Sequence, residues 1–416
     1  MSSAMDEAEL IALYQDLHAH PELGFQETRT AALMAEHLAR FGFEVHTGVG
    51  GTGVVGILDS GPGPTALLRA DMDALPVLEE TGLTYGSSAR GVDSEGNEVP
   101  VMHACGHDVH MTCLLGAASV LAADRDAYAG RLIVLFQPAE ELGAGATAMI
   151  DDGLFERFGT PDVVLGQHVA PLPAGMIGLH PGLAMATSDS LTITLHGTGG
   201  HGSRPETTVD PVVMAAATIM RLQTIVSRET AGTDMAVVTV GMIRAGNAGN
   251  VIADRAELRV NVRTVDASVR ARTLEAIRRI VTAEAEASGA PRPPEIDHHG
   301  HFPALVNDPD ATGRTNAAFV DLLGAEAVID PGVVTGSEDV GVLAEAAGAP
   351  CVFWFLGGAD PQLFAGVSTR DGLEEVLRSI PSNHSPTYAP VIKPTLDMGV
   401  RALVAAAHTW LPARQG

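Results

Sequence analysis

Basic residues are scarce in this chain of 416 residues, which has 25 lysines and arginines against 51 aspartates and glutamates. Lys393 is the only lysine, and the formal net charge is −26. Proteins that bind nucleic acids or anionic membrane surfaces neutralise phosphates with clustered lysine and arginine. We therefore expect neither a nucleic acid nor a membrane as a partner.

Cysteine and long apolar runs are also scarce. The three cysteines, Cys105, Cys113 and Cys351, cannot form a complete disulfide framework and favour a reducing compartment. No apolar run reaches the roughly 18 residues of a transmembrane helix, and the acidic N-terminal segment lacks the apolar core of a signal peptide. The sequence therefore predicts a cytoplasmic location. Apolar residues still make up 46% of the chain, enough for a large core.

The first half of the chain alternates helical and strand patterns. Strands are predicted at Phe43–Thr47, Gly53–Asp59, Thr65–Arg69, Arg131–Gln137 and Asp162–Gln167. Helices are predicted at Asp6–Leu17, Glu27–Arg40, Asp108–Ala123 and Ala144–Asp151. Strands separated by helices are typical of an α/β fold, with a mixed, mostly parallel sheet and helices on both faces.

The pattern changes near residue 188. The segment Ser190–His196 alternates apolar and polar residues, as a sheet with one wet face does. It is followed by predicted helices at Asp210–Ser227 and Ala267–Ala287 and strands at Met235–Ile243 and Ala256–Thr264. We predict an inserted α+β domain over 188–301, closed by the histidine-rich stretch Pro291–His301. Residues 1–187 and 302–416 would form the first domain, with a strand at Pro350–Phe355 and a final helix at Pro394–Leu411.

Candidate metal ligands follow the predicted strands of the first domain. Asp71 and Asp73 come after one strand, the pair Glu140-Glu141 after the next and His168 after a third. Parallel strands bring such ends to one edge of the sheet. The loop before the helix at Asp108 adds Cys105 and His107, and a polar loop near the C-terminus carries His384. Thiolate, imidazole and carboxylate are ligands of transition metals, and a spare carboxylate beside them indicates hydrolysis.

Each of these features has a simpler interpretation when it is taken alone. Cys105 and His107 could be core residues, and Glu140-Glu141 a solvated loop. The spacing of Thr335 and Glu338 matches a helix capping box. His201, in the glycine-rich segment Gly197–Ser203, could be a loop histidine, and Arg263 could bind a substrate carboxylate or pair with a structural acid. A redox role for Cys105 lacks a Cys-x-x-Cys partner. The conjunction of several features at strand ends favours the metal site.

The motifs together resemble the metal-dependent amidohydrolase family of hippurate hydrolases, bacterial N-acyl-L-amino-acid amidohydrolases and plant auxin-conjugate hydrolases. The resemblance covers nearly the whole chain. It is carried by the segments His18–Phe25 with Glu27, Arg69–Pro76, Met102–Asp108, Phe136–Glu141, Gly199–His201, Gly336–Asp339 and Asn383–Ser385. It implies a two-domain α/β metallopeptidase whose inserted lid domain mediates dimerisation and closes on the substrate.

The resemblance also implies roles for individual residues. Cys105 would bridge two divalent metal ions, and His107, Glu141, His168 and His384 would complete their coordination. Glu140 would be the general base and then the acid, and Asp73 an outer orienting residue. Asp71 falls where relatives carry a histidine ligand, so it is not included among the ligands. His201 would reach into the site of the partner subunit and polarise the scissile carbonyl. Asn250 and Arg263 would contact the substrate.

The expected reaction is hydrolysis of the amide bond of an N-acyl amino acid or a small amino-acid conjugate by a homodimer. Thiolate favours zinc, whereas the resemblance also allows manganese. The alternatives are a dipeptidase or desuccinylase with the same site and a catalytically silent binding protein. The chain has Gly202, Ala253 and Val340 where the family often has alanine, proline and phenylalanine. Because Val340 stands in place of phenylalanine, the resemblance does not predict the shape of the acyl pocket. The preferred substrate is therefore not predicted either.

Overall fold

The computed structural model describes residues 4–367 and 369–414, so the first three residues of the acidic N-terminal segment lie outside it. The helices are α1 (Glu7–Ala19), α2 (Thr28–Phe41), α3 (His107–Ala123), α4 (Gly145–Asp151), α5 (Leu154–Phe158), α6 (Pro211–Thr224), α7 (Ala267–Ala287), α8 (Pro309–Leu323), α9 (Val340–Ala347), α10 (Arg370–Ser379) and α11 (Ile392–Trp410). Within the described residues, none of these helices combines the length and the apolar character needed to cross a membrane.

The strands, in chain order, are β1 (Glu44–Val49), β2 (Gly53–Asp59), β3 (Thr65–Asp71), β4 (Arg90–Val92), β5 (Glu98–Pro100), β6 (Arg131–Gln137), β7 (Val163–Pro173), β8 (Ile177–Gly178), β9 (Gly182–Met185), β10 (Thr187–His196), β11 (Gly200–His201), β12 (Ala236–Ala245), β13 (Val251–Ile252), β14 (Arg255–Thr264), β15 (Glu295–Phe302), β16 (Leu305–Asn307), β17 (Val328–Ile329) and β18 (Cys351–Ala359).

Two compact units divide the chain. The first comprises Met1–Ala184, Val306–Gly332 and Asp339–Gly416, and the second comprises Met185–Leu305 and Val333–Glu338. The division into domains at 1–187, 188–301 and 302–416 stays a prediction.

The first unit is built on an eight-stranded sheet with the order β1-β2-β6-β3-β7-β18-β8-β17. Strand β3 lies between β6 and β7 and is parallel to both, and β18 is parallel to β7. The strands β1, β2 and β6 are joined by antiparallel pairings. The central strands are buried along nearly their whole length, as expected of strands covered on both faces. The predicted α/β class with a mixed, mostly parallel sheet is confirmed.

Helices cover both faces of this sheet. Leu68 of β3 and Val134 of β6 pack in one core with Leu114 of α3 and Leu403 of α11. On the opposite face, α9 packs against β7, with Val340 close to Gly166. Helix α3 packs against β3 and begins near the carboxyl ends of the central strands.

The second unit has an antiparallel sheet with the order β12-β14-β10-β15, covered on one side by α6 and α7. Leu195 and Leu258 of the sheet pack with Met214 of α6 and with Ile277 and Ile280 of α7. The alternation of buried and intermediate residues along β10 gives this sheet one face toward the core, as its sequence predicts.

Several predicted boundaries are wrong. Strand β7 continues through His168 to Pro173, so this histidine lies within a strand and not after it; β18 pairs along β7 and includes the pair Phe355 and His168. Strand β3 likewise includes Asp71. The helix predicted at Asp210–Ser227 is helical over Pro211–Thr224 and ends in a π-helical turn over Ile225–Glu229.

The histidine-rich stretch at the end of the predicted inserted domain includes strand β15, which pairs antiparallel with β10. One further interpretation is wrong: Thr335 does not cap a helix, because α9 begins at Val340 after Asp339, and no side chain caps it.

Candidate metal centre

The carboxyl ends of three parallel strands meet at one edge of the first unit's sheet. Asp71, the last residue of β3, pairs with Gln137, the last residue of β6. On the other side Arg69 pairs with Gly166 of β7, which puts His168 level with Asp71. Helix α3 begins at the same edge with His107. Four separate segments therefore meet at one edge, and two of them carry the predicted ligands His107 and His168.

Five predicted ligand side chains converge there in two triads that share one sulfur. The ligand atoms of Cys105, His107 and His168 lie within 4.8 Å of one another, and so do those of Cys105, Glu141 and His384. The Sγ of Cys105 is 3.4 Å from Nε2 of His168, and Nε2 of His384 is 3.2 Å from Oε1 of Glu141. A sulfur that belongs to both triads is placed to bridge two cations.

The site contains buried polar atoms whose protein neighbours do not meet hydrogen-bond geometry. Within the described part of the chain, neither ring nitrogen of His107 nor Oε1 of Glu141 has a partner with hydrogen-bond geometry, although all three atoms are buried. Buried polar atoms are rarely left in this state. Thiol, imidazole and carboxylate are the donor set of a transition-metal centre, so these residues fit a pair of divalent ions.

Asp73 contacts both the ring of His107 and the backbone of the two glutamates. Its Oδ1 is 3.3 Å from Nδ1 of His107, which leaves Nε2 of that ring toward Glu141 at 3.9 Å. The same carboxylate accepts the backbone N–H groups of Glu140 at 3.1 Å and Glu141 at 3.0 Å. A carboxylate behind a ligating histidine fixes its tautomer and its ring orientation. Asp73 thus has the contacts of an outer orienting residue.

Asp71 is occupied by other groups and is not available as a ligand. Arg69 donates from Nη1 to its Oδ2 at 2.7 Å, and His110 lies 2.6 Å from its Oδ1 through Nδ1. The tautomer of His110 is fixed, because its Nε2 accepts the backbone N–H of Val169 and its proton is therefore on Nδ1. Although Asp71, His107 and His110 also lie within 4.8 Å of one another, these bonds leave Asp71 and His110 without a free ligand atom.

Burial and the surrounding carboxylates determine the protonation of the site. Burial raises the pKa of the Cys105 thiol, and the charges of Glu141 and Glu140 raise it further. Burial disfavours the ionised form of Glu141 as well, but His384 and His107 outweigh it and lower the pKa of that carboxyl. Burial also lowers the pKa of His168 and keeps its imidazole neutral. The acids around the buried thiol give the site an excess of negative charge that cations would compensate.

The loop that carries His384 is held by its neighbour. His384 has a positive φ of 71°, and its backbone N–H donates to the carbonyl of Ala104 at 2.8 Å. Asn383 donates to the carbonyl oxygens of Cys105 and Val169 at 3.0 and 3.1 Å. Asn383 lies in a segment that carries the resemblance, but the sequence analysis gave it no role. A single polar residue in a loop gives no indication in the sequence that it bridges two distant segments.

Glu27 is a second residue that the sequence analysis missed. It belongs to a quoted segment, yet the sequence offered no reason to connect it with a residue 112 positions away. In the structure its carboxylate is buried and accepts the backbone N–H of Ala139, directly before Glu140, at 2.8 Å.

The remaining predicted site residues belong to the second unit. His201 is exposed in the short strand β11, and its Nδ1 accepts the backbone N–H of Ser203 at 3.1 Å. The neutral ring therefore carries its proton on Nε2. Asn250 lies beside it, because its carbonyl accepts the N–H of Gly202 at 2.9 Å.

Arg263 is not brought to His201 and Asn250. It lies near the C-terminal end of β14, roughly 25 Å from the start of that strand at about 3.3 Å per residue, whereas His201 pairs with Val251 in the separate strands β11 and β13. Its guanidinium donates to the carbonyl of Thr335 at 2.8 Å and to the side chain of Asn261 at 3.1 Å. Burial lowers the pKa of Arg263. The structural acid that the sequence allowed as its partner is not among these contacts.

Comparison with known proteins gives the family. The sequence pattern of peptidase family M20/M25/M40 matches residues 67–368. The chain is 40% identical over 353 residues to a hippurate hydrolase of Campylobacter jejuni, covering 84% of this chain and 88% of that protein. It is 37% identical over 354 residues to an N-acetyl-L-cysteine deacetylase of Bacillus subtilis, covering 84% of this chain and 80% of that protein.

A solved structure agrees with these sequence matches. The YxeP protein of Bacillus subtilis, described as a dinuclear metal-binding peptidase of the M20 family, superposes with a TM-score of 0.71 at 28% identity. The match covers 96% of this chain and 97% of that one. The chain belongs to peptidase family M20/M25/M40 and is a metal-dependent amidohydrolase of that family.

Proposed function

We propose that the protein hydrolyses the amide bond of N-acyl amino acids or small amino-acid conjugates, releasing a carboxylic acid and a free amino acid. One observation carries the proposal: two triads of ligand atoms share the sulfur of Cys105, and Glu140 lies directly beside the ligand Glu141. The similarity to a hippurate hydrolase and to an N-acetyl-L-cysteine deacetylase supports this substrate class.

Five residues would hold the metal ions. Cys105 would bridge the two ions, and the other ligands would be His107, Glu141, His168 and His384. Zinc and manganese both suit this mixture of sulfur, nitrogen and oxygen donors, and sulfur favours zinc. Two bound divalent ions would lower the pKa of a water molecule between them and would polarise the substrate carbonyl.

Glu140 would move the proton. Its backbone is held by Asp73, its side chain is buried, and it stands outside the two triads that share Cys105. A carboxylate in this place can accept the proton of the attacking water and deliver it to the departing amide nitrogen, first as base and then as acid. Asp73 would keep Glu140 and Glu141 in fixed orientations through the two backbone hydrogen bonds.

His201 would stabilise the negative charge that develops on the carbonyl oxygen. Its proton lies on Nε2, because Ser203 donates to Nδ1, and the side chain is exposed. An N–H aimed at this oxygen stabilises the transition state of acyl transfer. Asn250, next to His201, and Arg263 would bind the polar groups of the amino-acid portion.

These contacts would require two chains. Within one chain, Arg263 lies roughly 25 Å along β14 from the start of that strand, whereas His201 lies near that start in the separate strands β11 and β13, so a small substrate would not span the two. If both contact the same substrate, they belong to different subunits. A homodimer in which His201 completes the partner's site satisfies this condition.

The surface of the second unit offers a suitable dimer interface. The outer face of α6 is mostly apolar, and its exposed residues are Val212, Val213, Ala216, Ala217, Met220, Arg221 and Gln223. Helix α6 packs against β12, which is at the edge of its sheet and exposes Val237 and Ile243. Apolar patches beside an open strand edge are typical of surfaces that associate.

The three cysteines are buried, and none of them forms a disulfide among the described residues. Free thiols persist in reducing compartments. This supports a cytoplasmic location.

A substrate screen with defined metal content tests the function. Metal-free protein is reloaded with zinc or with manganese and offered N-acetyl, N-benzoyl and N-succinyl amino acids and, in parallel, dipeptides. We expect hydrolysis of acetyl or benzoyl amino acids with at least one metal and none without metal. Exclusive cleavage of dipeptides or of succinyl amino acids would replace the proposal with a dipeptidase or a desuccinylase. Stoichiometric metal binding without any turnover would indicate a silent binding protein.

A further inference from the structure

Glu27 is a buried carboxylate close to the proposed base. It has no solvent-exposed surface, although it lies at the start of α2. One carboxylate oxygen accepts the hydroxyl of Thr52 at 2.6 Å, and the other accepts the backbone N–H of Ala139 at 2.8 Å. Burial of a carboxyl group is unfavourable unless hydrogen bonds compensate it. Glu27 is therefore held in one orientation by two donors from separate segments.

The residue that Glu27 holds has an unusual backbone. Ala139 has a φ of 48°, in the left-handed region that residues other than glycine rarely adopt. Its carbonyl accepts the N–H of Gly145 at 3.2 Å, so Ala139 is tied on both sides. The positive φ redirects the chain after β6 and determines where the next residue, Glu140, points.

Three consecutive backbone amides are bound by two carboxylates. The N–H of Ala139 donates to Glu27, and those of Glu140 and Glu141 donate to Asp73. Asp73 follows β3 and Glu27 precedes α2, so the turn is fixed from two independent parts of the chain. Asp73 holds only the second and third of these amides, and Glu27 holds the first.

We propose that Glu27 is a positioning residue for the reaction, because its hydrogen bond to the N–H of Ala139 maintains the strained turn that presents Glu140. The catalytic role of Glu27 rests on the proposed function. The hydrogen bond from Ala139 to Glu27 and its effect on the turn do not depend on that function. A misplacement of a reacting group by about 1 Å can cost on the order of a hundredfold in rate. Glu27 would thus affect the chemical step without contacting the substrate or a metal ion.

Two substitutions separate position from charge. Glu27→Asp keeps the charge but shortens the side chain by one methylene, about 1.5 Å, so that it cannot reach both Thr52 and Ala139. Glu27→Gln keeps the length, and its amide can still accept from Ala139 and donate to the Thr52 hydroxyl. We expect Glu27→Asp to lower kcat by roughly 10- to 100-fold with KM unchanged. We expect Glu27→Gln to stay within about threefold of the wild type.

Glu22→Ala is the matched control. Glu22 belongs to the same segment and accepts the backbone N–H groups of Arg29 and Thr30, so its loss weakens the start of α2. Its side chain does not hold the turn at Ala139; its backbone carbonyl accepts from Ala74 and is not removed. This variant should melt at a lower temperature while keeping kcat.

Hydrogen exchange measured by mass spectrometry on residues 138–142 provides a readout that needs no substrate. Glu27→Asp should exchange faster in this segment than the wild type, and Glu27→Gln and Glu22→Ala should not. Exchange at the wild-type rate in Glu27→Asp, or equal loss of kcat in Glu27→Gln and Glu27→Asp, would overturn the proposal. Absence of turnover by the wild-type protein would instead reject the proposed function, and the exchange result would still decide the role of Glu27 in the turn.

Discussion

The sulfur of Cys105 lies 3.4 Å from Nε2 of His168, although the two residues are 63 positions apart. Cys105 precedes α3, and His168 lies within β7, so the contact depends on where the helix begins and on the register of the sheet. The ligand atoms of Glu141 and His384 also lie within 4.8 Å of this sulfur. Removing it should disturb both halves of the proposed centre at once.

Cys105→Ala should reduce the metal content from two ions per chain to one or none. The substitution deletes the proposed bridge, and neither histidine can replace a shared anionic ligand. Elemental analysis after purification without added metal measures the stoichiometry, and titration calorimetry measures the affinity. A Cys105→Ala protein that still binds two ions with wild-type affinity would remove this residue from the coordination sphere.

Cys113→Ala is the matched control for this experiment. Cys113 is buried on helix α3, which begins two residues after Cys105, and its sulfur faces the carbonyl of Leu396 at 3.7 Å. It belongs to none of the groups of potential ligands found among the described residues. We expect Cys113→Ala to keep both metal ions, so that a loss of metal in both variants would indicate general damage to α3.

Glu140→Gln should abolish turnover while the protein keeps its metal ions. The amide retains the size of the side chain and the backbone hydrogen bond to Asp73, but it cannot accept the proton of the attacking water. A fall in kcat of at least about a hundredfold is expected. Steady-state kinetics with an N-acyl amino acid, together with elemental analysis, check both parts. Substantial turnover by a fully loaded Glu140→Gln protein would assign the proton transfer to another group.

Much of the architecture follows from local pattern. The strand Arg131–Gln137 and the helix Ala267–Ala287 are found with the predicted bounds, because an apolar run and an amphipathic period define them without help from distant residues. The end of β7 could not be predicted in this way. The polar pair Gln167-His168 interrupts the apolar run, and only pairing with β18 extends the strand through it.

The candidate ligands could be predicted from the sequence, but the hydrogen bonds that hold the residues around them could not. The exclusion of Asp71 as a ligand rested on a resemblance, whereas the structure supplies a physical cause in its bonds to Arg69 and His110. The contact between Glu27 and Ala139 likewise depends on the packing of the start of α2 against the turn after β6. Hydrogen bonds between distant segments leave no period or spacing in a single sequence.

The buried pair His18 and Asp108 should make stability depend on pH. Nδ1 of His18 lies 2.7 Å from Asp108, and Nε2 lies 3.2 Å from Glu79. Burial opposes protonation of His18, but Asp108 and Glu79 outweigh it and raise the pKa of the imidazole from 6.5 to about 9. Since the folded state binds the proton more tightly, this stabilisation is complete below about pH 6.5 and is lost as the pH rises through about 9.

The effect is large enough to measure. A shift of this size corresponds to roughly 3 kcal/mol in the free energy of unfolding. Urea unfolding of the metal-free protein at pH 6 and pH 9.5 should show a larger loss of stability for the wild type than for His18→Gln, which cannot be protonated. Equal losses in the two proteins would mean that His18 is not the titrating group.

Complementation between inactive chains tests the dimer. If His201 completes the site of the partner, a mixed dimer of Glu140→Gln and His201→Ala chains has one site with both residues intact. Random exchange in an equal mixture makes half of the dimers mixed, so about a quarter of the wild-type activity should return. Native mass spectrometry confirms that the chains have exchanged. Mixed dimers without activity would show that each chain uses its own His201.

A second mixture should behave in the opposite way. Because Arg263 lies roughly 25 Å along β14 from the start of that strand and His201 lies near that start, a site that uses the partner's His201 uses its own Arg263. In a mixed dimer of Glu140→Gln and Arg263→Ala chains, one site then lacks Glu140 and the other lacks Arg263. This mixture should gain no activity over the parent variants. A return of about a quarter of the wild-type activity would instead place Arg263 on the same side of the dimer as the partner's His201, and would contradict the geometric argument for two chains.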